Sequence, residues 1–284
     1  AEHVESLDRV KGVAATLLAE NPEDIELLAS MGIPRCLGFV SDDENATRYR
    51  LIYHTGPDTY KVRSLRRILL TKPTFPRDDR VQLARTLARA IYFTHISQYV
   101  HKDVRAGNVL LCDSEAAENR RYPATLGRAL LVGFSDSRLS TASSQRIGTK
   151  ATEREMYQHP SRLVESGRSK HNFSHDVYSL GVCLLEIGLW QSIVVPPDKD
   201  VSEQWKMNPD WKFLDKSPSE RADGYAKNAQ TRLAHDMGRM YANAVLNCLR
   251  FADTNNSMAQ TSEGVATGMR YVEEVLTPLE TIRM

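Results

Sequence analysis

Residues 99–112 read YVHKDVRAGNVLLC. They follow a long amphipathic stretch and lead into a short apolar run, so a polar loop lies between a helix and a strand. Within it His101, Asp103 and Asn108 stand in the spacing His-x-Asp-x-x-x-x-Asn. One chemistry suits that spacing. In phosphoryl transfer a carboxylate accepts a hydroxyl proton while an amide oxygen five positions on reaches a magnesium ion. The octapeptide also recurs by chance, and its other reading is a polar loop that closes a helix.

On the N-terminal side, Val81, Ala84, Leu87, Ala88 and Ile91 recur at helical spacing and predict a helix from about Arg77 to Ser97, with Asp78 and Asp79 favourably near its start. Further upstream, residues 5–30 read as a helix with Leu7, Val10, Ala14, Leu17 and Leu18 on one face, then an interruption at Asn21-Pro22 and a second short helix ending near Gly32. Two strands are expected at 35–40 and 49–54, joined by the polar turn SDDENAT. After GPDTY a short helix, SLRRILL, is expected. On the C-terminal side come two apolar runs, 109–112 and 129–132. The polar residues 113–128 between them read as an extended loop. A second irregular stretch, 140–170, is rich in Ser, Thr and Arg. The segment VYSLGVCLLEIGLW that follows is apolar on nearly every face and predicts a helix buried through the centre of a domain. The remainder reads as helical, notably 232–251 and 265–282. Mixed strands and helices first, then helices alone, suit a small lobe joined to a larger helical one.

The bulk numbers exclude several function classes. The 284 residues carry 37 Lys+Arg against 36 Asp+Glu, so no net charge draws the chain to nucleic acid or to an anionic membrane. No apolar stretch is long enough to span a bilayer. The four cysteines, Cys36, Cys112, Cys183 and Cys248, are far apart in apolar settings without a CxxC pair. They read as buried free thiols in a reducing, cytoplasmic compartment. The sequence opens on Ala1 and is read as a segment of a longer parent.

Further features follow the 101–108 loop in order. The second apolar run enters LVGFSDSR, MYQHPS (156–161) closes the irregular stretch, and SHDVYSLGVCLLEIGLW sets Asp176, Ser179 and Gly181 at fixed steps. Upstream lie IPRCLGFV, YRLIYHTG and SLRRILL. Together these stretches, from about residue 33 to 282, resemble the protein kinase-like superfamily. The resemblance looks closest to degenerate fungal kinase-like domains that sit beside signalling or cell-death domains. It implies an α+β, protein-kinase-like fold: a partial N-lobe over 1–56 (helix, two strands and hinge) and a mostly helical C-lobe over 57–284.

The resemblance also assigns roles. Asp103 takes the place of the catalytic base and Asn108 that of the second metal ligand. Lys102 replaces an Arg and Arg105 a Lys of the same loop. His101 braces the loop and the Phe134 region. Asp176 either holds the loop backbone from the central helix or simply caps that helix. Residues His54 to Gly56 form the hinge, with Tyr53 at the back of the nucleotide cleft or merely in the core.

The departures carry as much weight. Gly133 stands where the principal magnesium-binding Asp belongs and Ser135 where a Gly belongs, so the phosphates lose the ion that neutralises their charge. Asp136 could replace that ligand only if the backbone changed register. Ser161 replaces the Glu that closes the activation segment, removing one side of a buried ion pair. Lys102 keeps a charge but not the bidentate fork of arginine. No GxGxxG or VAIK-like strand is found, and Glu20, Glu23 and Glu26 all remain open as the helix Glu. The expectation is a pseudokinase signalling module that transfers no phosphate, needs no cofactor, and binds a protein partner or another domain of its parent. Two alternatives stand beside it. One is an active ATP- and magnesium-dependent Ser/Thr-type kinase with an atypical metal site and N-lobe strands supplied upstream. The other is a small-molecule phosphotransferase of the aminoglycoside-kinase type, whose catalytic loop RAGNVL also resembles.

Overall fold

The computed structural model describes residues 2–41, 49–56, 59–71, 73–114, 126–134, 137–139, 152–163, 170–196, 205–252 and 263–283. Helix α1 (Glu2–Thr16) and α2 (Pro22–Ser30) open the chain. Asn21 starts α2 by accepting the Asp24 N–H at 2.8 Å, with Pro22 following it, where a missing N–H costs nothing. Strands β1 (Arg35–Ser41) and β2 (Tyr49–His54) form an antiparallel pair with a bulge between Cys36 and Gly38. The Cys36 N–H donates to the Leu17 carbonyl at 2.9 Å, fastening this small sheet to the end of α1.

The run after residue 56 differs from expectation. Residues Thr59–Ser64 form a strand, β3, before the helix α3 (Leu65–Thr71). β3 pairs antiparallel with β5 (Val109–Ser114), which pairs with β6 (Arg128–Leu131), giving the order β3-β5-β6. A single alternation, Tyr60-Lys61-Val62-Arg63, is too short to read as a strand without its partner. α4 (Arg77–Ile96) leads to the two-residue strand β4 (Tyr99–Val100), which pairs with β7 (Arg138–Leu139), and the 101–108 loop runs from β4 into β5.

The centre of the larger lobe is the helix Phe173–Leu189. It is numbered α6 here, after the short helix α5 (Thr152–Glu155). Every α6 residue except Leu189 is buried, so the helix is a core rather than a face. A small pair, β8 (Val194–Val195) and β9 (Lys206–Met207), follows. Next, α7 (Pro218–Asn228) passes through a π turn into α8 (Ala234–Met237). Gly238, at φ +83°, breaks what reads in sequence as one helix, and α9 (Arg239–Arg250) packs along α6. α10 (Glu263–Tyr271), a second π turn and α11 (Thr277–Thr281) close the chain.

The turn at 42–48, most of the 113–128 loop and much of 140–170 lie outside the described residues, as do Ser135 and Asp136. Where 140–170 is described, Met156 and Tyr157 are buried in the main core. All four cysteines are free and buried. Among the described residues no helix is long and apolar enough to cross a membrane.

Candidate functional site

The loop is held from beneath by α6. Asn172 and His175 cap that helix reciprocally: the Asn172 side chain accepts the His175 N–H, and His175 Nδ1 accepts the Asn172 N–H at 3.0 Å. Asp176 is therefore not needed as a cap and reaches across instead. Its Oδ2 accepts the His101 N–H at 2.7 Å, and its Oδ1 accepts the Lys102 N–H at 2.9 Å and the His171 ring at 2.9 Å. Burial alone would raise the Asp176 pKa, but His171 and these N–H donors outweigh it and hold the carboxyl below its ordinary value. Lys102 sits at φ +72°, a backbone state that a non-glycine residue adopts at a cost. The two N–H bonds to Asp176 fix it there.

His101 is fully buried with its ring edge-on to Phe134, 4.5 Å between centroids. Its Nδ1 accepts the Asp103 N–H at 3.3 Å, and its carbonyl accepts the Ser137 hydroxyl. This brings His101, Asp103, Phe134 and Asp176 together.

Asp103 and Asn108 lie side by side, joined by two bonds. Asn108 Nδ2 donates to the Asp103 carbonyl at 2.8 Å and to Oδ2 of its carboxylate at 2.7 Å. The same carboxylate takes Arg105 Nε on Oδ1 at 2.9 Å and Arg154 Nη2 on Oδ2 at 3.0 Å. Both carboxylate oxygens are thus already hydrogen-bonded, one of them to a guanidinium from α5.

A buried charge network extends from there. Glu153 accepts from Arg105 at 2.6 Å and from Arg66 of α3 at 2.9 Å. Arg66 also reaches the Tyr157 hydroxyl, which donates to Glu186 of α6 at 2.7 Å. Glu186 is closed off by the Ile193 N–H at 2.8 Å. Burial raises the Glu186 carboxyl, with Arg66 pulling against it. Burial works against the Arg66 charge, yet Tyr157, Glu186 and Glu153 reverse that and raise its pKa. Arg66, Glu153, Arg154, Tyr157 and Glu186 were not among the residues singled out from sequence. The signal for two of them was present: a charge inside an apolar run, Arg66 in SLRRILL and Glu186 in CLLEIGL, calls for a buried partner.

Gly133 directly follows β6 and Val132, and its φ is +95°. A Cβ there would stand 2.4 Å from Asn108 Nδ2 and 2.7 Å from its Cγ, so the space a side chain would leave by is filled by Asn108. A magnesium ion needs several oxygens in near-octahedral array. Gly133 offers no side-chain oxygen, Asn108 is a neutral amide, and among the described residues no group of three or more His, Cys, Asp or Glu could hold a metal. These residues do not fit that ion.

At the other end of the activation segment Ser161 stands between two histidines, 2.8 Å from His159 Nδ1 and 3.2 Å from His175 Nε2. Because His175 Nδ1 accepts the Asn172 N–H, its Nε2 carries the proton toward Ser161. A neutral hydrogen-bond chain thus runs from His175 through Ser161 to His159. Burial, with His171, His159 and Arg162 nearby, lowers the His175 pKa to about 3.

Tyr53, His54 and Gly56 lie along the β2 exit, and the Tyr53 phenol comes close to the backbone of Phe134. Burial, then the neighbouring Cys36, raises the Tyr53 phenol. His54 Nδ1 accepts the Gly56 N–H at 3.2 Å. Gly56, at φ +103°, leaves room for the Arg128 guanidinium, which donates to the Thr55 carbonyl.

A family model described as protein tyrosine and serine/threonine kinase matches residues 27–206, more than half of the chain.

Proposed function

The chain belongs to the protein tyrosine and serine/threonine kinase family, and from that premise we propose that it is a pseudokinase: a signalling and interaction module that transfers no phosphate. We place it closest to the degenerate fungal kinase-like domains, with an N-lobe remnant at 1–56 and a helical lobe at 57–284. It works through its surfaces, on a protein partner or another domain of its parent, without a nucleotide or metal cofactor and in a reducing, cytoplasmic setting.

One observation carries the reading: the position that should present the principal metal ligand is Gly133, and Asn108 fills the space in front of it. Asp103 is tied into the surrounding scaffold, its carboxylate hydrogen-bonded by Asn108, Arg105 and Arg154. In this reading Asp176 and the Arg66–Glu153–Arg105 network keep the loop rigid as a scaffold, a task that survives loss of catalysis.

The second reading, an active kinase with an atypical metal site, draws support from the adjacency of Asp103 and Asn108, the pair phosphoryl transfer would use. A transfer assay with labelled ATP, run on the parent chain and on Asp103→Asn, decides between them. No transfer by either supports the pseudokinase, and transfer lost on Asp103→Asn overturns it.

A further inference from the structure

A cleft of about 80 Å³ lies where α2, the start of β1, residues 54–56 and β6 meet. Its surface is mostly apolar, with Ile25, Ile33 and Leu130 among the residues that form it, and Arg35, His54 and Arg128 also line it. None of its lining residues is a carboxylate, and none belongs to the 101–108 loop or to 132–134.

The polar side chains of its lining, Arg35, His54 and Arg128, include no acid. Arg35 and His54 stand directly opposite each other across the β1–β2 pair, so like character is forced together where opposite charge would be favoured. Arg35 Nε is buried and has no hydrogen-bond partner among the described residues. His54 Nδ1 already accepts the Gly56 N–H, which leaves Nε2 to carry the proton. Arg128 spends one N–H on the Thr55 carbonyl. Asp113 follows Cys112, the β5 partner of Arg128, but is taken by Arg63 at 2.6 Å. Two guanidiniums and an imidazole N–H around an apolar cleft whose own lining holds no carboxylate match an oxyanion attached to a small hydrocarbon body.

We propose that this cleft binds a small organic oxyanion, a carboxylate or a phosphate monoester. Arg35 and Arg128 hold the charge, His54 donates beside them, and the body lies against Ile25, Ile33 and Leu130. The ligand touches α2, β1, the hinge and β6 at once, so its binding clamps the small lobe to β6 and stabilises the folded chain. The cleft and the 101–108 loop share no residue, so occupancy is independent of whether the loop transfers phosphate.

Titration calorimetry of the whole chain with isobutyrate, methyl phosphate and the neutral isostere isobutyramide, at constant ionic strength, tests this. At least one anion is expected to saturate at one site, with isobutyramide silent, and the anion that binds identifies which oxyanion the cleft takes. Arg35→Leu is expected to weaken that binding at least tenfold. The proposal is overturned if neither anion saturates, if the amide binds as well as the acid, or if Arg35→Leu binds like the parent. Should Arg35→Leu fail to fold, Ala29→Phe puts a ring into the cleft from the half-buried flank of α2. It must abolish binding, and undiminished binding by it overturns the proposal equally.

Discussion

His101 donates its backbone N–H to Oδ2 of Asp176 at 2.7 Å, joining the loop to a helix 75 residues further along the chain. The Lys102 N–H, at its positive φ, and His171 meet the other oxygen of the same buried carboxylate. Asp176→Ala leaves two N–H groups and an imidazole without their acceptor. Such a loss should cost about 3 kcal/mol or more. The check is a urea midpoint. Asp176→Asn, which keeps one acceptor, is expected to fall between the parent and Asp176→Ala. A parent-like midpoint for Asp176→Ala would show that the loop does not depend on this strut.

His175 gives the fold a pH dependence of known sign. Its folded pKa is lowered to about 3 against an unfolded value near 6.5. Below pH ~6.5 the unfolded chain therefore binds a proton that the folded chain refuses. Stability from this group is complete above pH ~6.5 and lost progressively as pH falls toward 3. At pH 5 the loss should be about 2 kcal/mol relative to pH 8. Urea midpoints measured from pH 8 to pH 5, before most carboxylates titrate, should fall for the parent. They should fall measurably less for His175→Gln, which cannot take up the proton. Equal slopes would mean that His175 is accessible to protonation in the folded state.

Residues 99–112 were legible because their function and their local structure share one short stretch of sequence, and α6 because apolar residues on every face leave a helix no place but the centre. β3 was not legible. Its pairing with β5 joins residues about 50 apart, and nothing within Tyr60–Arg63 reveals that partner. The break at Gly238 was hidden too, because a glycine inside an apolar-periodic run reads equally as tolerated or as a hinge. For the site, the single-residue departures at Gly133 and Ser161 stood out in the sequence. Its contacts did not, since the His159–Ser161–His175 chain and the Arg154 contact to Asp103 depend on how the activation segment folds back.

The four thiols should be inert in the folded chain. Burial raises the pKa of Cys36, Cys112, Cys183 and Cys248, and the thiolate is the reactive form. A disulfide reagent such as Ellman's should therefore label none of them rapidly in native buffer and all four in denaturant. A cysteine that reacts at once in native buffer would mark a locally open segment, and peptide mapping would name it.

Phosphate transfer is expected to be absent, and magnesium is expected not to strengthen ATP binding. An ion-bridged triphosphate needs charged oxygen ligands from the protein, and at this site Asn108 is a neutral amide and Gly133 has no side chain. Calorimetric ATP titrations with and without magnesium test the binding half. Restoring the carboxylate by Gly133→Asp separates a missing ligand from a remodelled site. The new Cβ would arrive 2.4 Å from Asn108 Nδ2 on a backbone at φ +95°. Asn108 can move away only by giving up its bonds to Asp103. Gly133→Asp should therefore lower stability by about 2 kcal/mol and still show no magnesium-dependent ATP binding. Adding Asn108→Ala removes the collision and should return part of that stability, at the cost of the amide that braces Asp103. If Gly133→Asp alone is as stable as the parent and gains magnesium-dependent binding, Asn108 yields readily. One carboxylate would then be all that separates this loop from a working metal site.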